Sequence, residues 1–241
     1  MPDQADSLAD LRPASSAIER PSNRGSVVAT TAFVCGHTAV SSAPLCPEVK
    51  LRLAPSIVPV WEAAEEALGA TGLPPPFWAV CWVGGQALTR YLLDYSLIAD
   101  GKRVLDLGSG SGLCAIAAAR AGATRVEASD PDPFATVAIR INAALNAVTV
   151  HTIGNDLIGT SKGDWDVVVA GDLWYERQLA QRVTPWLRQL AVEGCEVLVG
   201  DMGRAYFPRA RVTELAHYQI PTPTDLERNK ITTARVWRML P

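Results

Sequence analysis

The stretch Val104-Leu105-Asp106-Leu107-Gly108-Ser109-Gly110-Ser111-Gly112 constrains this chain more than any other. Arg103–Leu107 reads as an apolar strand, and Leu113–Ala121 as a helix of small residues. A strand that turns through glycines into a helix lets a ligand sit over the strand's carboxyl end, against backbone N–H groups. The spacing is G-x-G-x-G. A dinucleotide fingerprint, G-x-G-x-x-G, needs its third glycine at position 113, where Leu stands. Asp106, two residues before the first glycine, would be a poor neighbour for a pyrophosphate. It suits a ligand with an amino group and a positive centre. That contrast favours S-adenosylmethionine over NAD.

The next two strands carry further candidates. Arg125–Ser129 is followed by Asp130, 22 residues beyond Gly108, where an acid can accept hydrogen bonds from both ribose hydroxyls. Asp132 fits a helix N-cap better, because Pro133 is then the first helical residue. After Val148–Ile153 come Asn155 and Asp156. Either can read an exocyclic adenine amine, and both are also ordinary turn formers.

Around this centre the chain alternates strand and helix. Gly84-Gly85 opens a helix with Leu88, Tyr91, Leu92 and Tyr95 on one face. Phe134–Asn146 is helical. Trp165–Ala170 and Glu196–Gly200 are strands, and Leu179–Leu190 is a helix with a kink or break at Pro185. Leu215–Ile220 and Thr232–Leu240 are two late strands joined by a Pro-rich polar loop. Five βα units followed by two strands without a long helix between them predict a doubly wound α/β sheet with an antiparallel end strand.

The 241 residues fit one large α/β domain with appendages, or at most two small domains. The expected division is a disordered tail at 1–26, an N-terminal extension or lid at 27–83, and the main domain at 84–241. Within the extension, β-branched Val27–Val34 and alternating Val49–Leu53 read as strands, and Ile57 to Leu68 as an amphipathic helix. The tail lacks the apolar core of a secretory signal and carries four acids, unlike a transit peptide. A net charge of −3 gives no support to nucleic-acid or anionic-membrane binding. No apolar run approaches the roughly 20 residues of a spanning helix. Five cysteines without C-x-x-C, and three scattered histidines, argue against a zinc site or a disulfide framework. A reducing, cytoplasmic compartment is the expectation.

With these residues in place the chain resembles the seven-β-strand S-adenosylmethionine-dependent methyltransferases. Within them it is similar to the protein-lysine group that includes the electron transfer flavoprotein β-subunit lysine methyltransferases. The resemblance runs from about residue 29 to the C-terminus. It rests on Cys46–Leu53, Pro76-Phe77-Trp78-Ala79, Trp82–Leu88, Asp106–Gly112, Gly171-Asp172-Leu173-Trp174-Tyr175-Glu176, Gly200–Arg204, Leu226-Glu227-Arg228 and Thr232–Trp237. The segment after the fourth strand matches the D-x-x-Y signature of the lysine-methylating group. Val83 stands where many relatives have Pro, and Glu176 where Asp often follows the Tyr.

The resemblance implies the strand order 3-2-1-4-5-7-6, with the seventh strand antiparallel. It implies cofactor contacts from Trp82, the Asp106–Gly110 turn (Gly108, Ser109 and Gly110 included), Asp130, Asn155, Asp156 and Gly171. The acceptor would be a lysine on a protein, with the electron transfer flavoprotein β subunit as candidate partner and the enzyme a monomer. Asp172 is the expected amine orienter, Tyr175 a hydroxyl contact or helix-positioning residue, and Trp174 an aromatic wall. Asp172 could instead cap the helix that follows it, and Trp174 could be core. Of Trp78 and Trp82, closeness to Gly84-Gly85 favours Trp82 as the one facing the site. A small-molecule N-methyltransferase on the same fold is the alternative. A cofactor-binding scaffold without turnover is a third reading.

Overall fold

The computed structural model describes residues 23–69, 75–221 and 231–241. The tail before residue 23, the connector at 70–74 and the loop at 222–230, with its Asp225 and Glu227, lie outside the described residues.

The central sheet is built from β3 (Arg103–Leu107), β4 (Arg125–Ser129), β5 (His151–Ile153), β6 (Val167–Gly171), β7 (Glu196–Asp201), β8 (Val212–Pro221) and β9 (Ile231–Met239). Their order is β5-β4-β3-β6-β7-β9-β8. Counted from β3, this is the expected 3-2-1-4-5-7-6. β9 runs antiparallel to both β7 and β8. The first five of these strands are mutually parallel. Strand residues alternate between two faces. Val104, Val126, Val169 and Leu198 face one apolar layer, whereas Leu105, Leu107, Val168 and Val197 face the other.

Helices α3 (Val83–Asp94), α4 (Leu113–Arg120) and α5 (Pro133–Leu145) cover the first face, and α6 (Arg177–Val192) the second. β5 and β7 lead into loops rather than helices, so the expected five βα units reduce to three. Small residues let α3 and α4 approach closely: Ala87, Ala115, Ala117 and Ala118 are all fully buried. Asp132 caps α5 as expected, its carboxylate accepting the Phe134 N–H at 2.8 Å with Pro133 at the first helical position. Helix α3 ends at Asp94, so Tyr95 leaves the apolar face and is exposed, its ring against Tyr91.

Pro185 neither breaks nor ends α6. Proline in a helix interior costs about 3 kcal/mol. Burying Trp186 and Leu187, roughly 1.5–3 kcal/mol each, offsets that cost. Both Pro185 and Gln181, whose carbonyl loses its N–H partner, face solvent, where water replaces the missing bond.

The N-terminal layer consists of α1 (Asn23–His37), a hairpin of β1 (Ala39–Ala43) and β2 (Cys46–Leu53), and α2 (Ile57–Leu68). The expected strand at Val27–Val34 is helical instead. Its β-branched residues lower helix propensity by only tenths of a kcal/mol each. Packing overrides that bias: Val34 is fully buried and the Phe33 ring meets Phe134 of α5 at 5.1 Å. β2 docks on α5 through two asparagines one turn apart. Asn142 accepts the Arg52 N–H, and Asn146 both accepts from Lys50 N–H and donates to its carbonyl. The strand edge is thus satisfied by side chains.

Candidate active site

The register of the sheet assembles the site. Leu107, Ser129 and Ala170 lie in one row across β3, β4 and β6, and Gly171 lies beside Gly200. The chain therefore delivers Asp130, Asp172 and Asp201 together at the carboxyl ends of neighbouring parallel strands.

Gly108, Gly110 and Gly112 all have positive φ, at 63°, 55° and 85°. Side-chain-bearing residues rarely adopt this conformation, which is why the turn is glycine-rich. A Cβ on Gly108 would also lie 2.6 Å from Leu173. Asp106 is 2% exposed, and its Oδ2 accepts from Ser109 Oγ at 2.6 Å and from Ala115 N–H at 3.0 Å. Both bonds fall on one oxygen. Burial pushes the carboxyl up to about 7 against these bonds. Ser109 is itself 9% exposed and bonded inward. Asp130 clamps the turn from the next strand: Oδ2 accepts from Gly110 N–H at 2.9 Å and Oδ1 from Asp132 N–H at 3.0 Å. Burial raises it to about 6.

Beyond Asp130, Asn155 is exposed at the tip of β5, its carbonyl accepting from Ser129 Oγ. Asp156 accepts the Ile158 N–H and pairs with Arg182 at 2.6 Å. That commitment turns Asp156 toward α6 and leaves Asn155 the more available of the two.

Asp172 stands in an unusual conformation, with φ 60°. Its Oδ2 accepts the Gly85 N–H at 2.7 Å, and its Oδ1 pairs with Arg204 at 2.5 Å. Arg204 also pairs with the fully buried Asp201 at 2.8 Å. Asp201 in turn accepts the N–H groups of Gly203 and Arg204. Asp172 thus ties the start of α3 to the ends of β6 and β7. It caps α3, not the following helix α6. Burial raises its carboxyl despite the pull of Arg204. Two carboxylates share one guanidinium, so the cluster carries a residual negative charge when ionised.

Gly171 lies against Gly85: a Cβ there would meet Gly85 Cα at 3.0 Å. Trp174 corrects the sequence expectation. It is fully buried, donates Nε1–H to Thr184 Oγ1 at 2.9 Å and packs edge-on against Phe207. It is core, and it walls no channel. Tyr175 is 47% exposed and meets Phe77 edge-on at 5.3 Å. Phe77 meets Trp82 at 5.6 Å, and Trp82 Nε1–H donates to the Phe77 carbonyl at 3.0 Å. Burial, then the charges of Glu176 and Asp130, raise the Tyr175 hydroxyl above its ordinary value. The glycine turn comes close to this trio through the chain neighbour of Phe77, since a Cβ on Gly110 would lie 3.7 Å from Trp78 Cα. Trp78 instead stacks on Phe134 in the N-terminal layer.

Phe77 and Arg204 were not singled out as site residues from sequence. Phe77 carried a signal, being an aromatic five residues before Trp82. Its short 3-10 segment, Phe77–Ala79, leans on the turn, since a Cβ on Gly110 would lie 3.7 Å from Trp78 Cα. Arg204 carried none, because its partners are 3 and 32 residues away. On the N-terminal hairpin, Glu48 pairs with Arg90 at 2.6 Å.

A sheet in this order, with a glycine turn after its first strand and an acid after its second, defines a class I methyltransferase. The family model "Ribosomal protein L11 methyltransferase (PrmA)" matches residues 86–188. The electron transfer flavoprotein beta subunit lysine methyltransferase of Xenopus laevis is 40% identical over 94% of this chain and 95% of its own. That of Mus musculus is 40% identical over 83% of this chain and 80% of its own. That of Homo sapiens is 39% identical over 87% and 82%. This chain belongs to the electron transfer flavoprotein beta subunit lysine methyltransferase family.

Proposed function

We propose that this protein transfers methyl groups from S-adenosylmethionine to lysine side chains of a protein, with the electron transfer flavoprotein β subunit as substrate. The observation that carries the proposal is the row of acids at the strand ends, with the aromatic trio beside it, in a chain of this family. The donor set fits a cationic cofactor. Asp106 would hold the amino group, Asp130 the ribose hydroxyls and Asn155 the adenine, and Gly108 to Gly110 would allow close backbone approach. Asp156 is a weaker adenine contact because Arg182 holds it.

When bound, the cofactor supplies a methyl group already activated by its sulfonium, so no metal is required. The chain's residues do the rest. They must hold the amine in line with the methyl carbon and receive it uncharged. A free lysine has a pKa of about 10.4, so well under 1% is neutral at pH 7. Tyr175, Phe77 and Trp82 present aromatic faces and an apolar approach, which lower that pKa by desolvation and hold partly methylated ammonium by cation–π contact. The Tyr175 hydroxyl stays protonated at neutral pH and can accept from the amine. Asp172 is a positioning residue: its two bonds fix Gly171 to Tyr175 against α3. Asp172→Ala therefore costs turnover more than cofactor affinity.

The layer that begins with α1 at Asn23 is proposed to close over the cofactor, and the part from α3 at Val83 onward to be the methyltransferase domain; the expected boundaries at 26/27 and 83/84 fall inside α1 and α3. No helix among the described residues is long and apolar enough to cross a membrane. A monomer acting in the cytoplasm, without nucleic acid, completes the proposal; the free state of all five cysteines supports a reducing compartment.

The test is radiolabelled methyl transfer to purified electron transfer flavoprotein β subunit, with Asp172→Ala as control and mass spectrometry of the product. Methyl-lysine formed only by the wild type is expected. Label confined to small molecules of an extract would replace this reading with the small-molecule alternative.

A further inference from the structure

A shallow groove of about 370 Å³ runs along α6, bounded by Arg177, Gln181, Pro185 and Arg188 on the helix and by Tyr206 and Pro208 opposite. Its position is set by the site. Arg177 lies two residues past Tyr175, and Tyr206 two residues past Arg204. The groove therefore opens from the same end of the sheet as the aromatic trio and leads away from it.

Its charge is unbalanced. Arg90, Arg103, Arg204 and Arg238 are all paired with carboxylates. Arg177, Arg188 and Arg209 make no ion pair with a described residue, and no carboxylate lines the groove. Arg177 lies over the Tyr206 ring at 5.6 Å. Arg188 donates to the Ala210 carbonyl at 2.8 Å, and exposed Arg209 stands in the chain between Ala210 and the lining residue Pro208. Arg188 Nε is buried with no hydrogen-bond partner among the described residues. Arg177 and Arg188 in the lining, with Arg209 next to lining residue Pro208 in the chain, make with Tyr206 and two prolines a local positive, partly apolar trough in a chain of net charge −3.

We propose that this groove docks an acidic segment of the protein substrate, flanking the acceptor lysine. The inference rests on the reading of the chain as a protein methyltransferase and adds how the substrate is chosen. Arg177 to Arg188 spans about 16 Å at 1.5 Å per helical residue. An extended chain rises about 3.3 Å per residue, so acids about five residues from the lysine reach the groove's far end. A guanidinium takes a carboxylate through paired N–H donors, and Tyr206 supplies the apolar flank.

The test uses the full chain and a fluorescein-labelled peptide of about twelve residues, with one lysine and two glutamates about five residues beyond it. Anisotropy titrations compare the wild type with Arg177→Glu/Arg209→Glu, two exposed positions, and with Arg188→Gln. A second peptide replaces both glutamates by glutamine. About tenfold weaker binding is expected for the double variant and for the glutamine peptide, with increasing salt weakening the wild-type complex. S-adenosylmethionine affinity and Tm stay unchanged in the double variant. No binding to the wild type, equal affinity for the two peptides, or an unaffected double variant would each overturn the proposal. The methyl-transfer assay on the β subunit reads separately: selective peptide binding without methylation there sinks the substrate assignment and leaves the groove.

Discussion

Gly84→Ala tests the joint on which the site hangs. Gly84 has no positive φ, so backbone strain plays no part. Its Cβ would collide with the Gly200 carbonyl oxygen, lie 2.6 Å from the carbonyl carbon and sit 2.7 Å from Asp172 Oδ2. Gly200 is equally confined, because a Cβ there would meet the Gly84 carbonyl and lie 2.8 Å from Leu88 Cγ. Neither backbone can yield without moving α3 off the strand ends. Overpacking of this kind costs about 1–3 kcal/mol. Stretching the charge-assisted bond from Gly85 to Asp172 adds about 1.5–3 kcal/mol. The better helix propensity of Ala returns about 1 kcal/mol. The net loss is about 3 kcal/mol, or about 6–12 °C in Tm for a chain of this size. Gly36→Ala is the control: it is also in a helix, but a Cβ there meets nothing within 4 Å. It is expected to gain about 0.5 kcal/mol. Urea unfolding followed by tryptophan fluorescence, with calorimetry, measures both. Wild-type stability in Gly84→Ala, or a gain like that of Gly36→Ala, would refute the close approach.

Three further outcomes follow from the same geometry. Asp172→Ala leaves Arg204 to Asp201 alone and orphans the Gly85 N–H; a loss of about 3 kcal/mol with near-complete loss of methyl transfer is expected, and normal turnover would sink the positioning role. Tyr175→Phe keeps the ring contact with Phe77 and should retain cofactor affinity. Comparing its kcat with that of Tyr175→Ala separates the ring from the hydroxyl. For pH, burial raises Asp106 to about 7 and Asp130 to about 6. The folded state holds these protons more tightly than the unfolded chain. Their stability contribution is therefore fully present below about pH 4 and lost as pH rises through the folded values. A cationic ligand favours the ionised forms, so its affinity should rise from pH 5.5 to 7.5 with proton release on binding. Calorimetry in buffers of different ionisation enthalpy reads this directly, and a flat profile would refute it.

What the sequence determined is local or periodic. Three glycines between a strand and a helix permit the positive φ that such a turn needs, so the turn was legible from Gly108 to Gly112. Asp132 caps α5 because Pro133 follows it, and buried strands such as Val167–Gly171 announce themselves as apolar runs. Tertiary structure decided whatever depended on partners distant in the chain. Val27–Val34 has strand-like side chains, yet forms a helix because Val34 and Phe33 find α5. Trp174 and Tyr175 are adjacent and both aromatic, but one is buried and the other exposed by the direction in which the chain leaves β6. From sequence Asp172 reads as an amine orienter or as the cap of the helix that follows. Only the sheet register, which sets Gly171 beside Gly200, brings Arg204 and Gly85 to its two oxygens. A hydrogen bond across 87 residues leaves no spacing in the sequence to read. It exists because parallel pairing of β6 with β7 sets Gly171 beside Gly200, under the start of α3.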